Sequence, residues 1–537
     1  MKTNVLLIAS CLTLLNGFSQ SLKDAIYKTE NERYAEALIE FKRLTELEPA
    51  NGENYFYYGD CYFEKGEKDS AIAIWNKGYE VDKLSALPYV GKFRVLWLAG
   101  DKAAAQAECN KALELVKGKK LGLKRAEVIR GIAETYIESE NKDLDQALLL
   151  LSEAITLDPK NEDNYLLQGD ALYAKTPQDA SPAIKSYNIV LDINNKSPRG
   201  KLRVANIYQA AQNFEEANKI YKAAIEIDST FAPAYRERAE MFMRFKKMPL
   251  AIENWKKYLA LNNNVESRYR YVNAMYGAEE YCEVINEVAY LNNNGISNYF
   301  TERFLAKSFL NCTKVEDAFV KGLAASNRFF ATAPQNAVTF LDYKTRGDLY
   351  VNLKKDSLAI IEWEKAASMN ENVAKELTDD IALLYKKQKL YDKAIETYLK
   401  RQQMVELTLN ELYNLGQCYY AGPKNYTEAD TLFAKVVALS PTYSPAYMWR
   451  GRCKGQLDPK NELWLAKPHY EKVLELVLGD DRKLDKNKKM VIESAKYLGA
   501  YYGGSTEKDA IKAKEYFQLV YDLDPNDKQA KEVLGIK

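Results

Sequence analysis

A single imidazole, His469, stands beside Tyr470 in this chain of 537 residues. Triads, imidazole metal clusters and paired general bases need a second such group or a nucleophile held against it, so His469 reads as an ordinary surface or packing residue. Phosphate-cradling glycine loops are missing too: the glycines are scattered singly, and the doublet Gly503-Gly504 reads as a turn. Carboxylates are plentiful, yet on amphipathic helices they read as solvated faces and ion pairs, and no spacing selects one as acid and another as base. The chemistry-bearing residues therefore predict no catalytic site, no metal and no cofactor.

Charge narrows the partners. Basic residues number 76 and acidic residues 75, a formal net charge of +1, which removes the long-range field of a nonspecific nucleic-acid or anionic-membrane binder. No nucleic-acid partner is expected, and any partner must be recognised locally. Residues 1–19 read as a secretory signal: Lys2 gives the positive start, Val5 to Leu15 the apolar stretch, and Gly17-Phe18-Ser19 the small residues before a cut at Gln20. The rival reading takes Ile8-Ala9-Ser10-Cys11 as a lipoprotein box with Cys11 acylated, although the apolar run before Cys11 is short and continues beyond it. Nothing later is apolar for long enough to span a bilayer. The expectation is an exported protein of the periplasm or the periplasmic face of the outer membrane.

Positioning these residues is the work of a repeat. Asn54 to Tyr62 and Asn410 to Tyr419 share a layout, with Gly59 or Gly416 three residues before Tyr62 or Tyr419. About a dozen residues after the glycine comes an alanine, four later an aromatic, three later a small or apolar residue: Ala71, Trp75, Gly78, and again Ala429, Phe433, Val436. The frame returns as Ala205, Tyr208, Ala217, Tyr221, Ala224, as Ala239, Phe242, Ala251, Trp255, Tyr258, and as Gly347, Tyr350, Ala359, Trp363, Ala366, at a step of about 34 residues. Apolar residues at three- and four-residue intervals on both sides of a polar turn make each unit a pair of amphipathic helices. Asp158-Pro159, Ser440-Pro441 and Asp524-Pro525 close several units, because proline cannot continue the preceding helix. The runs Asn262 to Asn264 and Asn292 to Asn294 read as helix exits, since asparagine tolerates the left-handed conformation. The abundance of tyrosine, 39 residues, follows from these packing positions.

The pattern resembles the tetratricopeptide repeat family. The resemblance implies an all-α fold, a right-handed α-solenoid of about fourteen helix pairs with a C-terminal capping helix. Its expected divisions are the signal at 1–19, an N-terminal array at 20–291, a C-terminal array at 292–525 and the cap at 526–537, where Ala530, Val533 and Leu534 would cover the final pair. Enlarged turns are expected at Asn141 to Asp145, Thr176 to Pro182, Pro423 to Tyr426 and Leu457 to Trp464. The weakest matches, Val272 to Leu291 and Phe300 to Pro334, carry Val284 and Val288 in place of alanine and aromatic and a long second helix through Phe329 and Phe330, which suggests a joint between two halves. Repeats reaching the end of the sequence leave no room for an attached catalytic domain.

The resemblance also assigns sites. Cys61, Cys418 and Cys453 fall where the family has a small buried residue, and Cys109 takes an aromatic place. Cys282 begins a second helix and Cys312 ends the next first helix, positions that such a stack brings to one edge, so an oxidising compartment would permit a disulfide. First helices of the family line a concave groove. Carried over, the groove residues are Phe56, Asp60, Phe63, Asp170, Tyr173, Arg236, Arg244, Tyr269, Asn273, Tyr276, Phe300, Arg303, Tyr413 and Tyr420. Tyrosine and arginine often dominate interfaces, while spill-over from packing positions is the plainer account of the tyrosines. The lysine and asparagine clamp of chaperone-binding members is not reproduced; Arg236 and Asn206 come nearest. The expected function is a non-catalytic scaffold binding protein or peptide segments in a cell-envelope assembly; the alternative is glycan or cell-wall binding on exposed tyrosine faces.

Overall fold

A computed structural model describes residues 21–536; the expected signal segment and Cys11 lie outside the described residues. The described chain is helical, and it divides into two compact units, the first ending at Ile296 and the second beginning at Ser297. The first unit contains eight consecutive helix pairs: residues 21–30 with Tyr34–Leu47 (α1, α2), Gly52–Glu64 with Lys68–Val81 (α3, α4), Leu87–Leu98 with Lys102–Leu115 (α5, α6), Gly122–Glu138 with Leu144–Leu157 (α7, α8), Glu162–Lys175 with Ser181–Ile193 (α9, α10), Pro198–Ala210 with Phe214–Ile227 (α11, α12), Ala232–Arg244 with Met248–Leu261 (α13, α14), and Val265–Gly277 with Tyr281–Asn293 (α15, α16). The second contains six: Tyr299–Asn311 with Ala318–Thr332 (α17, α18), Phe340–Asn352 with Asp356–Met369 (α19, α20), Glu371–Lys387 with Tyr391–Met404 (α21, α22), Leu409–Ala421 with Tyr426–Leu439 (α23, α24), Ser444–Leu457 with Lys467–Leu476 (α25, α26), and Asp485–Gly504 with Ala510–Leu523 (α27, α28), followed by Lys528–Leu534 (α29).

One packing device recurs. The second helix of a pair carries a fully buried alanine near its start and a fully buried ring one turn later, as with Ala71 and Trp75, Ala217 and Tyr221, or Ala429 and Phe433. Where the first helix has glycine at the crossing, the ring lies against it and no side chain fits: a Cβ would stand 2.8 Å from the Tyr470 ring at Gly451 and 2.7 Å from that of Phe517 at Gly499, whereas α11 and α13 hold the buried Ala205 and Ala239 at that position. Where an aspartate follows the glycine, it takes the polar edge of the ring. Trp75 Nε1 donates to Asp60 at 3.1 Å, the Tyr187 hydroxyl to Asp170 at 2.8 Å, and Trp363 Nε1 to Asp348 at 2.9 Å. In α18 large and small trade places, since Ser326 fills the ring position and Phe329 the small one, both buried. That exchange of volume, rather than extra length, is why this unit departs from the frame. At 15 residues α18 is ordinary, and the long helices are the first helices α7, α21 and α27.

Turns inside the pairs place one residue at positive φ: Glu32, Gly66 and Gly100 in the first three pairs, and Lys354, Lys389 and Lys424 in three consecutive pairs of the second unit. The asparagine runs act differently from expectation. Asn262 and Asn264 are extended; Asn262 donates its amide to the Tyr258 hydroxyl at 2.7 Å, and Asn264 accepts from the Ser267 backbone as an N-cap. The left-handed residue after α16 is Gly295. The widest turn within a pair is the stretch from Asp458 to Ala466, whose backbone amides at Glu462 and Leu463 donate to Asp458. Beyond α28, Ala530 of α29 is buried and Leu534 packs on the final pair, whereas Val533 is exposed. Cys61, Cys109, Cys418 and Cys453 are free and buried, and burial pushes the Cys61 thiol up to about 12. Cys282 belongs to the first unit and Cys312 to the second.

Two glycines of α25 separate the packing role from the propensity role. Gly451→Ala drives a methyl into the Tyr470 ring and is expected to destabilise by about 1–3 kcal/mol. One turn on, Gly455 has open space around its Cβ position, and Gly455→Ala is expected to stabilise by about 0.5–1 kcal/mol. Urea denaturation of the full chain checks the pair; shifts of one sign would refute the ring-on-glycine account.

Candidate functional site

The first unit closes on itself. Tyr27 of α1 donates its hydroxyl to Asp228 in the turn before α13, and the Asn31 amide reaches the same carboxylate. Glu30 pairs with Arg199 of α11 at 2.9 Å, and Glu32 pairs with Arg236 of α13 at 2.8 Å while accepting the Tyr258 hydroxyl of α14 at 2.8 Å. Contacts across 169 to 226 residues of sequence turn an open curve into a ring of inner helices. The ring encloses a cavity of about 710 Å³, lined by α1, α3, α5, α7, α9, α11 and α13. That volume lies within the range of about 300–1,000 Å³ typical of small-ligand sites.

The cavity wall carries eleven carboxylates against six cationic groups. Three arginines are each shared by two acids. Arg94, buried at 4 % exposure, holds Asp60 at 2.7 Å and Glu134; Arg199 holds Glu30 and Asp163 at 2.7 Å; Arg236 holds Glu32 and Glu237. Arg203 pairs with Asp170 at 2.8 Å. Each shared arginine leaves one negative charge uncompensated, while Glu64 and Glu138, at the open side of the cavity and exposed to solvent, have neither hydrogen bond nor ion pair among the described residues. Burial disfavours the ionised form here. It pushes Glu30 up to about 7, Asp60 to about 8 and Glu64 to about 7, with Arg94 opposing the last two, and it pushes Glu138 well above the carboxylate range. Burial also works against Asp163, but Arg199 and Arg130 outweigh it and hold that carboxyl below its usual value.

Of the groove residues expected from the sequence, the structure gathers Phe56, Asp60, Asp170 and Arg236 on this cavity. Phe63 packs on Trp75 just behind it. Tyr173, Tyr269, Asn273 and Tyr276 lie elsewhere in the first unit; Asn273 is exposed and the three tyrosines are half-buried, while Arg244 ends α13. In the second unit Arg303 is clamped to Asp342 at 2.7 Å, with its guanidinium near the exposed Phe300 ring. Tyr413 and Tyr420 share one neighbour, Trp449, whose Nε1 donates to the Tyr413 hydroxyl at 2.8 Å. Sequence reasoning passed over Glu30, Glu64, Arg94, Glu134, Glu138, Arg199 and Arg203. A signal for them existed: Asp60 and Glu64, Glu134 and Glu138, and Arg199 and Arg203 are each one helical turn apart on a first helix.

Models of the tetratricopeptide repeat match residues 23–84, 199–231 and 412–443. The chain is a tetratricopeptide repeat protein. It is 22 % identical over 402 residues to a TPR repeat-containing protein of Methanocaldococcus jannaschii, a match covering 70 % of this chain and 62 % of that protein. It is 22 % identical over 319 residues to a BBSome complex member homologue of Drosophila melanogaster, covering 57 % and 64 %. The chain thus spans less than two thirds of the length of these curated relatives. A solved structure, the C-terminal part of a TPR repeat-containing protein from Cytophaga hutchinsonii, is similar at 24 % identity and a TM-score of 0.40, covering 50 % of this chain and 99 % of that one.

Within the repeats, His469 sits half-buried on α26. Burial, followed by the nearby Arg450, lowers its imidazole to about 4, so it is neutral at physiological pH. Among the described residues no helix is long and apolar enough to cross a membrane.

The closing contacts yield a direct test. In a cycle of Glu32→Ala, Arg236→Ala and the double variant, read by urea denaturation, a coupling of about 1–3 kcal/mol is expected, because either single change strands a partly buried group. Additive effects would mean that the first pair does not hold the ring closed.

Proposed function

We propose that this tetratricopeptide repeat protein is an exported, non-catalytic scaffold that holds protein segments on the first helices of its pairs, within a cell-envelope assembly. The carrying observation is preorganisation of interface-type side chains on successive first helices. In the second unit, Tyr420 of α23 packs edge-on against Trp449 of α25 at 5.1 Å, Arg452 lies over Trp449 at 4.6 Å, and Glu493 of α27 holds Arg452 at 2.6 Å. Aromatic and arginine groups already fixed in place lose little entropy on binding. The Tyr413 ring has Phe433 and Tyr443 at its sides, which argues against sugar stacking on that face. Export is supported by residues 1–19 of the sequence, and an oxidising compartment would allow Cys282 and Cys312 to bridge.

Crosslinking in the intact envelope followed by mass spectrometry tests the scaffold reading. A single stoichiometric protein partner is expected, with recovery at least about tenfold lower for Arg452→Ala, a loss equal to about 1.4 kcal/mol of binding. Repeated recovery of the bare protein would count against it. The mass of the purified mature protein tests export separately. A start at Gln20 and four thiols alkylated under denaturing, non-reducing conditions are expected; a retained signal segment or six labelled thiols would overturn that part.

A further inference from the structure

The seam that closes the first unit is held differently on its two sides. On the near side α1 is anchored by apolar packing: Ala25 is buried, and Leu22 and Ile26 lie with Phe41 and the other apolar residues of α2 and α3. On the far side its grip on α11, α13 and α14 is polar. Tyr27 and Asn31 reach Asp228, Glu30 reaches Arg199, and Glu32 reaches Arg236 and Tyr258. These groups come from one stretch, Tyr27 to Glu32, at the end of α1 and in the turn after it. Half-exposed ion pairs hold less firmly than buried apolar surface, and salt weakens them further. The seam is therefore a joint that can part while the helix pairs on either side of it stay folded.

The far side is also complete without α1. Arg199 keeps Asp163 of α9 at 2.7 Å, Arg236 keeps its neighbour Glu237 at 2.6 Å, and Asp228 keeps the Thr230 backbone amide at 2.8 Å. Parting the seam thus strands no charge on α11 or α13, and it returns Glu30 and Glu32 to water. What it uncovers is a seat whose complement the structure already displays. Two guanidiniums each take up a carboxylate, the two carboxylates standing at Glu30 and Glu32 of one chain segment, and Asp228 accepts the hydroxyl of a tyrosine one turn earlier on the same segment.

We propose that the stretch from Tyr27 to Glu32 is an autoinhibitory strap: it occupies in cis a seat on α11 and α13 that takes an acidic segment of a protein partner, a tyrosine followed by two spaced carboxylates. The seat lies on first helices, and the assignment rests on the reading of those helices as the binding surface. It adds the chemistry of the partner and the step that controls access, which is release of α1. A tethered strap competes at an effective concentration on the order of millimolar. A partner segment therefore displaces it only by making further contacts along the inner helices, and the cavity of about 710 Å³ behind the seat leaves room for them. Single acidic groups are turned away, whereas a longer matching segment is admitted and holds the seam open.

Fluorescence anisotropy with the full chain tests this, the probe being a labelled, amidated peptide of residues 21–33. In the triple variant Tyr27→Ala, Glu30→Ala, Glu32→Ala the strap loses its polar grip, while Leu22, Ala25 and Ile26 still anchor α1. This variant is expected to bind the peptide at least about tenfold more tightly than the wild type does, because the tethered competitor is gone. Adding Arg199→Ala and Arg236→Ala, or changing both glutamates of the peptide to glutamine, is expected to cost at least about tenfold of that affinity. An unchanged helical circular dichroism signal establishes that each variant is folded, and the glutamine peptide carries the test should the arginine variants fail to fold. No binding by the triple variant at about millimolar peptide, equal binding by wild type and triple variant, or binding indifferent to the glutamates would overturn the proposal. So would a wild-type dimer in sedimentation that the triple variant does not form, because the occupant in trans would then be α1 of a second copy. A partner crosslinked to the second unit would leave the scaffold reading standing in each of these events.

Discussion

A ring resting on a bare glycine sets how closely the two helices of a pair approach, and most other features of this chain follow from that distance. Tightly packed interiors tolerate no added methyl at such a contact, so a ring seated this closely needs glycine across from it, and where the first helix carries Ala205 or Ala239 instead the frame accommodates a methyl. Where the ring is tryptophan or tyrosine, it brings a polar edge that cannot be buried alone. Asp60, Asp170 and Asp348, each directly after its glycine, answer that need. The demand of packing thus places a carboxylate at a fixed point on the first helix.

From that point the consequences run outward in the first unit. Asp60 engages Arg94 one repeat later, and Asp170 engages Arg203 in the same relation, so the seat inside one pair is tied to the next pair. The arginines recruit further acids from α7, from the end of α1 and from the turn after it, and their number falls short of the carboxylates they serve. Open solenoids disperse such charge into water. Here closure by Glu30, Glu32 and Tyr27 gathers it around one cavity.

The repeat was legible because its signals are local. Gly59, Ala71 and Trp75 lie within one unit, and a step of about 34 residues repeats them, so spacing alone reveals the pairs. The cavity was less legible for two physical reasons. Glu32 and Arg236 meet only because small rotations between successive pairs accumulate through the unit, and no single repeat encodes their sum. The acids at Glu64 and Glu138 also look like any solvated helical charge until the helices opposite them are known. Phe56, Asp60 and Arg236 were found by carrying over the family's groove, whereas Tyr269 and Asn273 were carried over by the same rule and lie away from the cavity. Position within a repeat predicts which way a residue points, not what stands across from it.

The surplus of acid bears on stability as well as on binding. A carboxyl raised by burial binds more protons folded than unfolded, so its contribution to stability is lost as pH rises toward the raised value. For Glu30, Asp60 and Glu64 that window runs from their ordinary values up to about 7 or 8, and across it the ring accumulates negative charge. Natural cores seldom keep such groups unless something offsets them. The clasp of α1 on α11 and α13 holds the ring together against that repulsion with the same class of ion pair that creates it.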